Sequence, residues 1–176
     1  MRKATRIPFI LGCIFLLFLT ACNTDHVEEK QGIEDVKELV HDYSVGEFTD
    51  LSASITSNEL IVIDQNNDKT IYELPKDEFF VSIAPYLDVT HDCAIHSLTG
   101  CQGELVEQEF EVIIHDEEGN IMVDQEMQSF KNGFIDLWLP RNQTFNVQIK
   151  YEDKIAETEI STFDGDHTCI TTMQLT

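Results

Sequence analysis

Two short segments contain the residues of this chain whose side chains could bind a soft metal ion. The first is His91–Glu104, with the sequence HDCAIHSLTGCQGE, and the second is Asp166–Cys169, with the sequence DHTC. Together they hold three of the five cysteines and three of the six histidines. Thiolate and imidazole groups suit Cu(I) or Zn(II), whereas carboxylate and carbonyl oxygens suit calcium and magnesium. We therefore predict that the two segments meet in space and form one thiolate–imidazole site.

The candidate ligands are three thiols and the histidines beside them, namely Cys93, Cys101, Cys169, His91, His96 and His167. His91 and His167 each stand two residues before a cysteine. His96 lies between Cys93 and Cys101. Tetrahedral zinc sites often use two cysteines separated by about two to four residues, and that spacing is missing here. Three thiolates in a trigonal arrangement fit copper as Cu(I) better, which leaves zinc as the weaker candidate.

A structural disulfide is the main alternative for these cysteines. Exported proteins favour disulfides, and either Cys93–Cys101 or Cys101–Cys169 could form one and leave a free thiol. The protein would then be a structural surface lipoprotein without a ligand. A thiol–disulfide redox protein is a second alternative, although the Cys-x-x-Cys motif of thioredoxin-like enzymes is absent. The sequence also has no nucleophile elbow, P-loop or His-Glu-x-x-His motif. We therefore expect no enzyme activity, apart from a stoichiometric reduction of Cu(II) by the thiols.

Residues 1–21 have the pattern of a bacterial lipoprotein signal peptide. A basic head precedes the apolar run Pro8–Leu19, which is shorter than the roughly 20 apolar residues of a membrane-spanning helix. The run ends in Leu-Thr-Ala-Cys, which resembles a lipobox, so we predict cleavage before Cys22 and lipidation of that residue. The expected location is the cell envelope, with the protein anchored by lipid on the extracytoplasmic side of the membrane.

The chain is strongly acidic, with a net charge of −22 from 33 acidic and 11 basic residues. The predicted cleavage would remove three basic residues and no acidic one, which brings the mature chain near −25. Proteins bind nucleic acids mainly through Lys and Arg at the phosphates. The composition therefore argues against a nucleic-acid partner and against a polybasic membrane patch, so any membrane contact is expected to come from the lipid.

The apolar pattern changes from helical to strand-like along the chain. Apolar spacings of three and four predict a helix over residues 32–43. Alternating and β-branched runs predict strands at 51–55, 59–64, 69–74 and 79–83. Further strands at the regular spacing of an antiparallel sandwich are predicted at 105–114, 121–127, 133–139, 145–151, 155–161 and 168–174.

These elements predict a mainly β (α+β) fold in two parts. Residues 22–31 form a polar tether, residues 32–88 a small helix-plus-sheet unit, and residues 89–176 an antiparallel β-sandwich-like domain that carries the Cys/His site. The first and last strands of the sandwich would begin near Cys101 and Cys169. Neighbouring edges of one sheet would then bring the two segments together.

The residues around the later cysteines also resemble a known family. The run His96–Leu105, HSLTGCQGEL, followed by Thr168–Thr172, TCITT, is similar to the signature of the CueP family, periplasmic copper-binding proteins of bacterial copper resistance. The similarity extends from about residue 32 to the C-terminus. The resemblance implies that Cys93, Cys101 and Cys169 handle copper, with assistance from nearby histidines.

The same resemblance implies how such a protein works. It implies copper sequestration, action on Cu(II) through the thiols, and a homodimer formed by the N-terminal part. A copper-receiving or thiol-reducing envelope protein is a further partner to expect. The better-known members are soluble in the periplasm, so the predicted lipid anchor at Cys22 is a departure from the family pattern.

The lipid anchor can be tested by changing the lipobox cysteine. We expect Cys22→Ala to lose the acyl groups and to be released from membranes, because the thiol that carries the lipid is gone. Mass spectrometry and membrane fractionation of wild type and variant measure both effects. A variant that carries no acyl group and still sediments with membranes would contradict the prediction.

Overall fold

The computed structural model describes residues 33–176, so the predicted signal peptide, Cys22 and the tether lie outside the described residues. The described part begins with the helix α1 (Ile33–Val45). Eleven strands follow it: β1 (Leu51–Ile55), β2 (Glu59–Asp64), β3 (Lys69–Glu73), β4 (Glu78–Ile83), β5 (His96–Ser97), β6 (Glu109–Asp116), β7 (Ile121–Gln128), β8 (Ile135–Pro140), β9 (Thr144–Tyr151), β10 (Lys154–Ser161) and β11 (Cys169–Ile170). Over these residues no helix is long and apolar enough to cross a membrane.

The strands form three sheets, with the orders β3-β2-β1-β5, β10-β9-β6-β7 and β11-β4-β8. The pairs are antiparallel except for β11 and β4, which run parallel. The predicted helix is present, and the strands predicted at 59–64 and 69–74 are present as β2 and β3, which pair antiparallel. The expected fold class, mainly β with a small helical part, is confirmed.

Strand β4 connects the two main hydrophobic cores of the described chain. Phe79, Val81 and Ile83 point into a core formed with β6, β8, β9 and β10. Phe80 points the other way, into a core formed by α1 with the first sheet. Successive side chains of a strand alternate between its two faces, and both faces of β4 are buried, which explains its nearly continuous apolar sequence.

Two predicted strands are shorter than expected. The strand predicted at 105–114 begins only at Glu109, because the preceding residues form the turns that follow Cys101. The strand predicted at 168–174 is limited to β11, after which Gln174 makes an isolated bridge to Tyr86. The C-terminal residues therefore pair in short, separate contacts and do not form one long strand with alternating buried and exposed side chains.

The predicted meeting of the two segments at neighbouring edges of one sheet is wrong. β5, which contains His96, is an edge strand of the first sheet, whereas β11, which contains Cys169, is an edge strand of the third. The third sheet draws strands from both sides of the predicted boundary between residues 88 and 89. The division into two parts stays a prediction.

A close approach of two glycines holds the loop after Cys101 against the rest of the fold. The Gly103 N–H donates to the Asn132 carbonyl at 2.6 Å. A Cβ placed on Gly103 would lie 2.6 Å from the Gly133 carbonyl oxygen. Gly133 has a φ of +78°, a conformation that glycine adopts without strain. Any side chain at residue 103 would therefore push these two loops apart.

We expect Gly103→Ala to lower the free energy of unfolding by about 1–3 kcal/mol, as overpacking against a fixed backbone does. Gly100→Ala is the matched control, because its Cβ would meet the Ser97 hydroxyl, which can rotate away. That control is expected to change stability by less than about 1 kcal/mol. Urea unfolding of the reduced, metal-free proteins measures both values. Equal effects of the two substitutions would contradict the close-approach argument.

Candidate metal centre

The loop that carries Cys93 is anchored to the chain around Cys169. The Thr90 hydroxyl donates to the Thr171 carbonyl at 2.6 Å. Further along, the Thr168 N–H donates to the Ala94 carbonyl at 3.0 Å. These two hydrogen bonds bracket Cys93 and hold it beside the start of β11.

Cys101 is held by a turn that follows β5. His96 and Ser97 pair with β1, where His96 lies opposite Ile55. The Cys101 N–H then donates to the Ser97 carbonyl at 2.9 Å, which folds the chain back after the edge strand. The cysteine is thereby returned to the side of the fold on which β11 lies.

Thr168 joins the segments that carry the candidate ligands. Its hydroxyl donates to the Ile55 carbonyl at 2.6 Å and accepts from the His96 N–H at 3.0 Å. Its carbonyl accepts from the Ser82 N–H at 2.9 Å. One buried threonine therefore fixes β1, β4 and β5 relative to Cys169, the next residue.

The three predicted thiols converge with His91. One ligand atom from each of His91, Cys93, Cys101 and Cys169 lies within 4.8 Å of all the others. The Sγ atoms of Cys93 and Cys101 are 3.6 Å apart, much further than the ~2.05 Å of a disulfide bond. All three cysteines are free thiols, with Cys169 buried and the other two half-buried.

The other two predicted histidines lie outside this group of four. His96 is fully buried, and its Nδ1 lies 3.4 Å from the Cys169 Sγ. Its Nε2 is buried and has no hydrogen-bond partner in residues 33–176. His167 is exposed just before β11 and lines a surface depression with Asp166 and Ile170. The structure thus brings His91 to the thiols, places His96 against one thiol, and leaves His167 apart from them.

An apolar wall closes one side of the cluster. Cys169 packs with Ala84 and Phe134, and the half-buried Cys93 and Cys101 pack against this group. The Phe134 ring lies 4.5 Å from the His96 ring, centroid to centroid. From the sequence we expect Phe134 to be a core residue, and it is both fully buried and part of the wall of the site.

The thiols differ in how readily they ionise. Hydrogen bonding from Cys169 lowers the pKa of Cys101 well below its ordinary value, and His96 and His91 act in the same direction. The pKa of Cys169 is raised, because its proton is held in the bond to Cys101 and because it is buried. Desolvation raises the pKa of Cys93. The cluster therefore carries a thiolate at Cys101 that its neighbours stabilise.

A buried carboxyl group behind the site is a feature that the sequence analysis missed. Asp136 accepts hydrogen bonds of 2.5 Å from the hydroxyls of Ser44 and Ser82. Burial raises its pKa, against the effect of these bonds and of the nearby His96 and His41. The sequence offers one sign of this group, because Asp136 is an acidic residue within the apolar run of β8.

The chain is similar to a known protein family and to a solved structure. The family model of the periplasmic copper-binding protein CueP matches residues 35–174. A solved structure described as the crystal structure of S.CueP is similar, with 39% sequence identity and a TM-score of 0.76, and the match covers 80% of this chain and 88% of that chain. No curated protein matches the chain.

A mainly β protein in which three thiols and an imidazole converge has a donor set that could hold a soft metal ion. The chain belongs to the CueP family of periplasmic copper-binding proteins, as the match over most of its length shows. The family resemblance expected from the sequence is confirmed.

The unequal acidity of the thiols predicts an order of alkylation in the reduced, metal-free protein. Because the pKa of Cys101 is lowered, its thiolate persists when the pH falls below about 8.5, where an ordinary thiol becomes protonated. With iodoacetamide at pH 6 we expect Cys101 to react about tenfold or more faster than Cys169, since only thiolates are nucleophilic. Peptide mapping by mass spectrometry gives the order, and modification of Cys169 before Cys101 would contradict it.

Proposed function

We propose that the protein sequesters copper as Cu(I) in the cell envelope, with Cys93, Cys101 and Cys169 as thiolate ligands and His91 as a further donor. One observation carries the proposal: ligand atoms of these four residues, which come from two separate segments of the chain, lie within 4.8 Å of one another. A structural protein would have no need to hold three free thiols and an imidazole at one point.

The chemistry of the donors supports Cu(I) over harder ions. Thiolates are soft ligands and select Cu(I), whereas carboxylates, plentiful elsewhere in this acidic chain, suit calcium and magnesium. Three sulfur atoms around a metal at about 2.3 Å lie about 4 Å apart in a trigonal plane. The observed 3.6 Å between the Cys93 and Cys101 Sγ atoms is close to that value.

His96 has a different part in this proposal. Its Nδ1 lies 3.4 Å from the Cys169 Sγ, and the ring is fully buried against Phe134. Groups that hydrogen-bond to metal ligands orient them and tune the affinity of the site. We therefore assign His96 to orienting Cys169. His167, exposed on the surface, is the weakest of the six candidate ligands.

A stoichiometric reduction of Cu(II) is a second candidate function, supported by the short distance between two thiols. Two Cu(II) ions would each take one electron, the Cys101 thiolate and the Cys93 thiol would form a disulfide, and the proton of Cys93 would leave. The same disulfide would remove two of the proposed Cu(I) ligands, so a reductant in the envelope would have to restore the site. A thiol-reducing envelope protein is therefore the partner that this candidate requires.

We also propose that the protein acts at the membrane surface rather than free in the periplasm. The support is the lipobox-like sequence that ends at Cys22. Copper bound by an anchored protein could reach only partners close to the same membrane. The homodimer, which the family resemblance implies, and a copper-receiving partner remain predictions.

The proposal predicts a copper-dependent gain in stability that requires Cys169. Binding to the folded state alone should raise the free energy of unfolding by about 2.7 kcal/mol when free Cu(I) is a hundredfold above the dissociation constant. Cys169→Ser should lose most of this gain, because Cys169 is the ligand that the fold brings to the other two. His115→Ala is the control, since His115 lies on β6 outside the cluster.

Thermal unfolding of reduced wild type, Cys169→Ser and His115→Ala, each with and without Cu(I), measures these gains. We expect a full copper-dependent shift for wild type and His115→Ala and a small one for Cys169→Ser. A full shift in Cys169→Ser would mean that the two segments do not form one copper site.

A further inference from the structure

The carboxylate of Glu104 is bound by three consecutive backbone N–H groups of another loop. Its Oε2 accepts from the N–H groups of Leu87, Asp88 and Val89 at 2.7, 3.0 and 3.2 Å. Hydrogen bonds to an ionised acceptor are about twice as strong as those between neutral groups. Against the opposing effect of desolvation, the backbone N–H groups of these three residues hold the pKa of Glu104 below its ordinary value.

These bonds connect the two loops that supply thiols from the first segment. Glu104 stands three residues after Cys101, in the loop that Gly103 holds against Gly133. Leu87–Val89 lead directly into His91 and Cys93. The other anchors of that loop, described above, run to the chain around Cys169. The Glu104 carboxylate therefore links the backbone that leads into the Cys93 loop to the Cys101 loop.

The loop has little apolar packing of its own to fix its position. The residues from Asp88 to Asp92 are exposed, and Val89 keeps 67% of its surface accessible. Polar contacts must therefore hold the loop, and the carboxylate makes three of them at once. Loss of one acceptor would leave three neighbouring N–H groups without their partner in the protein.

We propose that Glu104 is a positioning residue of the copper site: by binding the backbone at residues 87–89, it holds His91 and Cys93 within reach of Cys101 and Cys169. The effect of Glu104 on copper affinity rests on the proposed function. The effect of Glu104 on the distance between the thiols does not require copper. Glu104 is not one of the four residues whose ligand atoms converge. It acts through the two loops, as residues that hydrogen-bond to ligand-bearing groups do at other metal sites.

The test compares Glu104→Ala and Glu104→Gln with Asp116→Ala. Asp116 is the matched control. Its carboxylate also accepts hydrogen bonds from backbone N–H groups, those of Glu118 and Asn120, but it lies in the β6–β7 turn. Competition of the reduced proteins against a Cu(I) chelator measures affinity. We expect Glu104→Ala to bind Cu(I) about tenfold or more weakly, as is typical when a group that orients metal ligands is removed. Glu104→Gln keeps one neutral acceptor and should lose less, while Asp116→Ala should match wild type.

A second measurement omits copper. The metal-free proteins are equilibrated with reduced and oxidised glutathione, and peptide mapping quantifies the Cys93–Cys101 disulfide. Each exchange converts two protein thiols and one oxidised glutathione into one protein disulfide and two reduced glutathiones. We expect the equilibrium constant to fall about three- to tenfold in Glu104→Ala, since the effective concentration of one thiol at the other decreases.

The two measurements separate the possible failures. If wild type binds no Cu(I) and Glu104→Ala still lowers the disulfide constant, the copper function fails and the positioning role holds. If Glu104→Ala matches wild type in both, or if Asp116→Ala loses as much, the inference is overturned. If Glu104→Ala does not fold, Glu104→Gln decides: a smaller loss in the same direction supports the role, and wild-type values overturn it.

Discussion

The structure of the site depends on the hydrogen bonds made by Thr168. This residue has no part in the proposed copper chemistry, yet its hydroxyl and peptide groups contact Ile55, Ser82, Ala94 and His96. It lies next to Cys169 and is almost fully buried. The buried hydroxyl both donates and accepts a hydrogen bond, so its polar groups are satisfied. Loss of either partner would leave a buried polar group without a hydrogen bond, which lowers stability. The relative position of two sheets and one ligand loop is set at this point.

The proposed site is a consequence of tertiary structure rather than of one local motif. Cys93 and Cys101 come from the loops around β5, at the edge of one sheet, and Cys169 comes from β11, at the edge of another. Metal binding at such a site is linked to folding, because the complete ligand set exists only in the folded chain. β4 and the residue after it also join the site to the rest of the fold: Phe80 lies in a core, Ser82 donates a hydrogen bond to Asp136, and Ala84, just past the strand, packs against Cys169.

The sequence predicts the chemistry of the site better than the way in which the fold builds it. Soft ligands collected in two segments are visible in one dimension, and so are the period of α1 and the alternation of most strands. The parallel pairing of β11 with β4 could not be predicted, because two residues carry no periodicity. The contacts of Glu104 and Asp136 could not be predicted either, since their partners are backbone N–H groups and serine hydroxyls distant in the chain. His91 and His167 have the same spacing to a cysteine, and only the fold separates them.

The central claim is that one copper ion is held by all three thiols at once. X-ray absorption spectroscopy at the copper edge, on reduced protein loaded with one equivalent of Cu(I), tests it most directly because it counts the neighbours of the metal. We expect three sulfur neighbours at about 2.3 Å, the distance typical of thiolate ligands. A spectrum with two sulfur neighbours or fewer would contradict the account.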